Sequence, residues 1–481
     1  MIREKRRTGL PRLQWRDRTF WTTALRLALP VAVQNLLVSS FALVDTLMVG
    51  QLGDVPLSAI GMATQWAWFL MICQFGFCSG ATLFYAQYWG VRDVKGIHRV
   101  HGTAMLAVLG ISAVFTCICV FAPVRAISIF NRTPAVVAAG SAYLRIAGLS
   151  YIPQMAVSMI GALLRSTGRV KLPMVTACLT TALNITLDYG LIFGKLGLPE
   201  LGIAGAAWAT VISSWAGLAF VLAVSAAQRN ILFGPVREFF DFRRDALAEY
   251  LQKTLPVVAN EVAWGLGTVV LNLVYSNLGY EYFAAVTIVR TFENLAFALL
   301  IGLCSACAIM VGNSVGAGNI GYGVAHARRF VILEPACAIV LGGVLIAARH
   351  PMLRLFNTGG ALSELTYSSA VIILILYSGH MITRNLPYIT IVGVYRAGGD
   401  TSTGVKYDMG CLWLLSIPTT VICACVLRLP FPVVYALMLM SEDYVKTFLC
   451  LRHFYSWRWL RPVTAEGRTA LADWKAQYRI E

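Results

Sequence analysis

Long apolar stretches dominate this chain, broken at irregular intervals by charges and by glycine and proline clusters. Taking each stretch as one element gives twelve, at about 20–50, 57–89, 100–122, 137–163, 170–194, 203–226, 251–279, 284–313, 325–347, 366–394, 404–427 and 430–452. Each is long enough to cross a bilayer as a helix, which takes about 20 apolar residues. Inside hydrocarbon the backbone must hydrogen-bond to itself, so single runs of this length predict helices rather than strands. Several runs exceed 25 residues, which predicts tilt or extension beyond the hydrocarbon. The first run, from Phe20 to Val49, is too long for the apolar region of a signal peptide and reads as a span.

Composition supports the same class. Of 481 residues, 58% are hydrophobic and only 13% charged, about half the charge of a soluble protein. That excludes an ordinary globular enzyme, a disordered regulator and a secreted disulfide scaffold. The net charge of +16 would suggest nucleic acid in a soluble protein. Here lysine and arginine recur in alternate loops. With the N-terminus inside, cytoplasmic segments hold twenty-eight of them and the opposite loops six. This asymmetry places both termini in the cytoplasm. The expected partner is then the lipid bilayer, with anionic lipid at its inner face, and not nucleic acid.

The chain also repeats itself. Leu29-Pro30-Val31 matches Leu255-Pro256-Val257, and at the same shift Leu52-Gly53 meets Leu278-Gly279, Cys78-Ser79 meets Cys304-Ser305 and Gly90 meets Gly316. Each half holds six spans, so both enter the membrane from the same side. Two parallel repeats predict an all-α polytopic fold of two pseudo-symmetric six-helix bundles around a midplane cavity. The expected organisation is a basic cytoplasmic N-tail (1–19), an N-lobe (20–226), a cytoplasmic connector (227–250), a C-lobe (251–452) and a cytoplasmic C-tail (453–481). Within the connector, Arg237-Glu238-Phe239-Phe240-Asp241 reads as an amphipathic segment on the membrane surface.

An ionisable side chain at a helix centre costs about 2.5–3.5 kcal/mol on insertion scales and therefore needs a reason. Asp45 lies late in the first span and Asp188 in the fifth, four residues after Asn184 and so on the same helical face. A carboxylate with an amide neighbour on one face can hold a proton or a small cation. Glu261, beside Asn260, is a third candidate, early in the seventh span. Glu442 and Lys446 are four apart and Arg290 and Glu293 three apart, so each pair can form locally. Arg145, Glu334 and Arg384 have no evident local partner. Pro30 lies in the first span, where a missing backbone donor permits a hinge. Trp66, Tyr189 and Trp264 are aromatic candidates for lining a cavity and stacking on organic cations.

Other patterns carry no chemistry. Gly316-Ala317-Gly318-Asn319-Ile320-Gly321 satisfies a dinucleotide pattern but follows a span, not a strand. Cys304 and Cys307 lack the second pair that a zinc site requires. The six histidines are scattered, so an enzyme is not expected.

Together these segments resemble the multidrug and toxic compound extrusion (MATE) family, in its NorM/DinF-like bacterial branch, over about 20–455. The resemblance is carried by Leu29-Pro30, Val44-Asp45-Thr46-Leu47-Met48-Val49-Gly50, Asn184-Ile185-Thr186-Leu187-Asp188, Gly202-Ile203-Ala204-Gly205-Ala206-Ala207-Trp208-Ala209-Thr210 and Arg396-Ala397-Gly398-Gly399-Asp400-Thr401. It implies a V-shaped, monomeric inner-membrane antiporter that exchanges H+ or Na+ for drug-like, often cationic compounds, with no cofactor. It also implies an ion site, for a proton or a sodium ion, at Asp45, Asn184, Asp188 and Thr210. Glu261 resembles the seventh-helix glutamate of the NorM-like branch. The acidic residue of that branch's tenth helix has no counterpart, since Arg384 occupies the segment. The alternative is a lipid-linked saccharide or lipid flippase of related architecture, which would need a strongly basic cavity.

Overall fold

The computed structural model describes residues 15–52, 54–130, 132–241, 244–354 and 363–478. Most of the expected N-tail, 1–14, and the last three residues of the expected C-tail lie outside them. The main helices are α1 (Arg18–Gly50), α2 (Asp54–Gly90), α3 (Val94–Phe121), α4 (Pro134–Ser166), α5 (Lys171–Phe193), α6 (Ile203–Ala227), α7 (Arg244–Leu278), α8 (Tyr280–Gly316), α9 (Ile320–Ala347), α10 (Glu364–Gly398), α11 (Thr401–Val426), α12 (Phe431–Ser456) and α13 (Ala465–Tyr478). Among the described residues, α1 to α11 contain eleven stretches long and apolar enough to cross a membrane. The 26-residue α12 carries Glu442, Asp443 and Lys446 near its middle, which lowers its hydropathy. The expected all-α polytopic fold is the fold observed.

The repeat is present in the helices themselves. α2 and α8 are both 37 residues long, α3 and α9 both 28, and the short helices Pro123–Ser128 and Arg349–Arg354 both six. Members of each pair begin 226 positions apart. Pro30 and Pro256 each follow the first residue of their helix by twelve positions. Both are therefore interior prolines, each removing one backbone hydrogen bond from a helix that continues past it.

Two compact units divide the chain. One comprises 33–85 and 93–252. In it α5 packs along α6, and α4 packs on α3 and α6. Gly205 and Gly217 on α6 allow the close approach: a Cβ at Gly205 would overlap the Leu191 carbonyl, and one at Gly217 the Thr180 methyl. Small residues serve this purpose where lipid offers no hydrophobic drive between helices. The connector departs from the surface-helix expectation. Its helix is a single turn, Val236–Phe239, docked on the start of α3. Buried His98 lies between the Glu238 carboxylate and the Ile231 carbonyl, 2.7 Å from each, with its ring stacked on Phe239. Arg99 pairs with Asp241 at 2.7 Å. These polar contacts hold the segment onto α3.

The other unit comprises 253–481, 86–92 and the described part of 1–32. Its core lies among α7, α8, α9, α10 and α12, around residues such as Val289, Ala338, Ile373, Leu374 and Leu439. Two reciprocal contacts join the ends of α2 and α8. A Cβ at Gly90 would overlap the Asn313 carbonyl, and one at Gly316 would overlap the Gln87 carbonyl. Gly90 and Gly316 are repeat partners, as are Gln87 and Asn313. The residues after α12 fold back onto this crossing. Gln87 donates to the Ala397 carbonyl at 2.8 Å and accepts from the Val463 amide at 2.7 Å. Thr464 donates to the Gly316 carbonyl at 2.7 Å. Asp400, in the turn between α10 and α11, meets His453 at 2.9 Å and Arg461 at 3.1 Å. Burial alone would push the Asp400 carboxyl up. The His453 and Thr403 hydrogen bonds and the Arg461 charge outweigh it and hold the carboxyl below its usual range.

Replacing Gly90 or Gly316 by leucine should block the helix crossing and lower the unfolding temperature of the detergent-solubilised protein by several degrees. Ala at Gly61, where a Cβ meets nothing, should leave it unchanged. Asp400→Ala should cost about 1–3 kcal/mol through lost charged hydrogen bonds and speed amide exchange in α13. A depressed carboxyl stabilises above its unfolded pKa and loses that effect as pH falls through its folded value. The difference between Asp400→Ala and the unmodified protein should therefore shrink on acidification.

Candidate functional site

In the unit formed by 33–85 and 93–252, α5 presents Asn184 and Asp188 one turn apart, both buried. With the amide oriented by its hydrogen bonds, Asn184 donates to Asp188 Oδ2 at 3.0 Å and accepts from the Thr210 backbone amide of α6 at 3.2 Å. The Thr210 hydroxyl donates to the Ala206 carbonyl at 3.1 Å, so it is the Thr210 backbone that meets Asn184. Asp188 Oδ1 has no hydrogen-bond partner among the described residues. Half-buried Asp45, on α1, lies within electrostatic range of Asp188. Tyr143 of α4 is buried and feels the charges of both carboxylates. A polar chain leads away from α6: Ser214 donates to the Thr210 carbonyl, and Gln154 donates to Ser214 and Ser150 at 3.2 and 3.0 Å. The structure thus gathers Asp45, Asn184, Asp188 and Thr210, and adds Tyr143.

Glu261 belongs to the other unit, where it accepts from Arg396 Nη2 at 2.7 Å. Next to it, Asn260 donates to Asp408 at 2.9 Å, and Lys446 reaches Asp408 at 2.9 Å and Glu442 at 2.7 Å. Arg384, which has no partner in its own sequence neighbourhood, lies within electrostatic range of Asp443, Glu293 and Glu442, with its guanidinium 5.8 Å from the Tyr377 ring. Glu293 accepts from the Tyr435 hydroxyl at 3.4 Å. Arg384, Arg396 and Lys446 are therefore each met by acids from other helices.

The aromatic candidates take three positions. The Trp66 indole donates to the Ala126 carbonyl at 3.3 Å and its ring packs edge-on against Phe115 and Phe130. Tyr189 is 45% and Trp264 43% exposed. Pro30 is half-buried within α1, two residues before the point where the two compact units divide that helix.

A family model described as MatE matches residues 30–190 and 256–422, more than half of the chain and one block in each repeat. The chain belongs to the MatE family. It is 24% identical over 402 residues to a probable multidrug resistance protein NorM of Thermotoga maritima, covering 82% of this chain and 83% of that one. The fold matches the crystal structure of the Vibrio cholerae MATE transporter VcmN D35N mutant with TM-score 0.82 and 17% identity, covering 92% of this chain and 98% of the other. It also matches a crystal structure of MATE in the bent conformation, with TM-score 0.80 and 16% identity over 96% and 97% of the two chains. The protein is a multi-pass membrane transporter and not an enzyme.

In this MatE protein the residues that pattern reading missed are Tyr143, Asp408 and Asp443. Tyr143 follows no polar signature, and its role depends on α4 lying beside both aspartates. Asp408 meets Lys446 and Asp443 lies in range of Arg384, each a base on another helix, which spacing along one helix cannot reveal.

Removing Asn184 leaves a buried carboxyl with one fewer partner. Asn184→Leu should cost about 1–3 kcal/mol, whereas removing both polar partners together is nearly neutral. The double variant Asn184→Leu/Asp188→Leu should therefore unfold at a higher temperature than Asn184→Leu alone.

Proposed function

We propose that this MatE transporter is a cation-coupled antiporter, driven by H+ or Na+, that exports drug-like and often cationic organic compounds by alternating access. The observation that carries the reading is the buried Asn184–Asp188 pair, with one carboxylate oxygen unanswered and Asp45 in range. Two carboxylates close together in a low dielectric repel unless a proton or cation is shared between them. That makes the pair a loading point, and either a proton or a sodium ion at Asp45, Asn184, Asp188 and Thr210 satisfies it. Occupancy changes the charge that α1 carries at Asp45. A proline inside the same helix supplies a hinge at Pro30, through which the helix responds.

The drug-like substrate class rests on the relative named as a multidrug resistance protein. Half-exposed Tyr189 and Trp264 offer faces on which an organic cation can stack, and Trp66 braces the segment around Ala126. The arginine and lysine asymmetry supports both termini in the cytoplasm; in the same reading the transporter is an inner-membrane monomer with two lobes at 20–226 and 251–452. A membrane potential of 100 mV supplies about 2.3 kcal/mol per charge moved, a concentration factor of about fifty, enough for useful export.

The test is uptake of a fluorescent organic cation by inverted membrane vesicles under an imposed pH or sodium gradient. One gradient should drive uptake, and Asp45→Asn should reduce the rate at least tenfold at equal protein level. Uptake under neither gradient, or an unimpaired Asp45→Asn variant, would sink the reading.

A further inference from the structure

The Asn184–Asp188 arrangement of the first half has a counterpart in the second. Asp408 lies on α11, the fifth spanning helix of its half, as Asp188 lies on α5. Asn184 donates to Asp188 Oδ2 at 3.0 Å, and Asn260, of α7, donates to Asp408 Oδ2 at 2.9 Å. In each half an asparagine therefore holds one carboxylate oxygen and leaves the other to a different partner. In the first half that oxygen, Asp188 Oδ1, has no hydrogen-bond partner among the described residues. In the second, Asp408 Oδ1 accepts from the Lys446 ammonium of α12 at 2.9 Å.

Lys446 is held by more than its sequence pairing requires. Glu442, one turn earlier on α12, accepts from the same nitrogen at 2.7 Å and already answers its charge. Asp408 adds a second carboxylate from α11, and Asn260 braces that carboxylate from α7. Lys446, Glu442 and Asn260 are all buried. Three helices thus converge on one ammonium, at a depth where a lysine is costly and needs a reason. Arg396, in electrostatic range of Asp408, is committed to Glu261 at 2.7 Å. The first half offers no such base. Its sixth helix, α6, stands in chain order where α12 stands in the second half, and carries no charged residue from Ile203 to Ala227. A fixed cation is present in the half whose aspartate is answered and missing from the matching helix of the half whose aspartate is not.

We propose that Lys446 is a tethered cation, filling in the second half the position that an exchangeable ion takes in the first. The side chains around it suit an alkali cation. Hard cations take carboxylate and amide oxygens as ligands. Asp408 and Glu442 supply the first kind. Asn260 supplies the second, with a buried Oδ1 that has no hydrogen-bond partner among the described residues. A lysine on a spanning helix cannot leave, so this position stays filled and the second half exchanges nothing there. The driving ion is then taken up by the first half alone. That last step deepens the antiport reading above and rests on it. The occupation of the second-half site by Lys446 does not.

A salt bridge with a purely structural role is not restored by a dissolved ion, whereas a cation site is refilled by one. The test is the unfolding temperature of the purified full-length protein in lithium, sodium or potassium chloride. Each is compared with choline chloride at equal ionic strength, so that screening is matched. All variants carry Asp188→Asn, which removes a carboxylate from the first-half site. With Lys446 in place, no alkali cation should shift the temperature. Lys446→Met should lower it in choline chloride, and at least one alkali cation should then raise it by about 3 °C or more. Lys446→Arg, which keeps a fixed cation, should again show no shift. If Lys446→Met folds in none of the salts, Lys446→Met/Glu442→Gln, with Asp408 the one carboxylate left at the site, decides by the same shift. No shift with any of the three cations once Lys446 is removed, or an equal shift with Lys446 present, overturns the proposal. Uptake by the Asp45→Asn variant reads the first half alone. Failure of the coupling reading therefore leaves these shifts in place, and failure of the shifts leaves that reading standing.

Discussion

A charge taken into hydrocarbon must be met by another group, and that requirement places the ionisable side chains of this protein. The cost of an isolated charge at mid-bilayer is several kcal/mol, comparable with the whole stability of a domain. Two solutions occur side by side. Around Arg384, Arg396 and Lys446 the answer is opposite charge drawn from several helices, a closed arrangement in which partners are already engaged. Around Asp188 the answer is incomplete. Asn184 satisfies one oxygen, and the other is left without a hydrogen bond. A closed set of ion pairs resists change, because breaking one pair strands a buried charge. An incomplete set invites a proton or cation, and for that reason the transport reading is centred on the Asp188 group.

The repeat provides the frame on which this chemistry differs. Glycines at equivalent positions, Gly90 and Gly316, let two equivalent helix ends cross with backbone against backbone, each lying over the partner of the residue opposite it. Such an approach leaves no room for a side chain and makes the crossing depend on composition at two points only. Gln87 adds direction, since its amide uses both ends, one on the Ala397 carbonyl and one on the Val463 amide. The tail after α12 is thereby part of the packed structure.

Much of this was readable in the chain. The twelve apolar runs became helices with ends within seven residues of expectation, because in lipid a run of that length has no other stable backbone solution. The shift of 226 reappeared as equal helix lengths. Asn184 and Asp188 could be paired from spacing alone, and so could Glu442 and Lys446, as both pairs lie one turn apart on a single helix. What was not readable depends on which helices touch. Tyr143 looks like any packing aromatic until α4 is placed beside the aspartates. Arg384 looks unpartnered until α12 brings Asp443 near it. The connector appeared amphipathic and became a single turn clasped by His98 and Arg99, because two acceptors on either side of an imidazole outweigh what a four-residue helix gains on a membrane surface.

The two halves show where symmetry was kept and where it was given up. Arg165-Ser166-Thr167-Gly168 in the first half resembles Arg396-Ala397-Gly398-Gly399 in the second at a shift of 231, five more than the 226 of the earlier helices, and each arginine lies near an equivalent cysteine, Cys78 and Cys304. The acids around them are not equivalent. Asn35 stands where the second half has Glu261, and Val108 where it has Glu334. In the opposite direction, Leu271 stands where the first half has Asp45. Each half has therefore kept the basic residue, but the carboxylates of the two leading helices, Asp45 and Glu261, stand ten residues apart in repeat register. Two identical halves would respond identically to the same ion. Halves that share a frame and differ in the depth of their acids need not respond alike to the same ion.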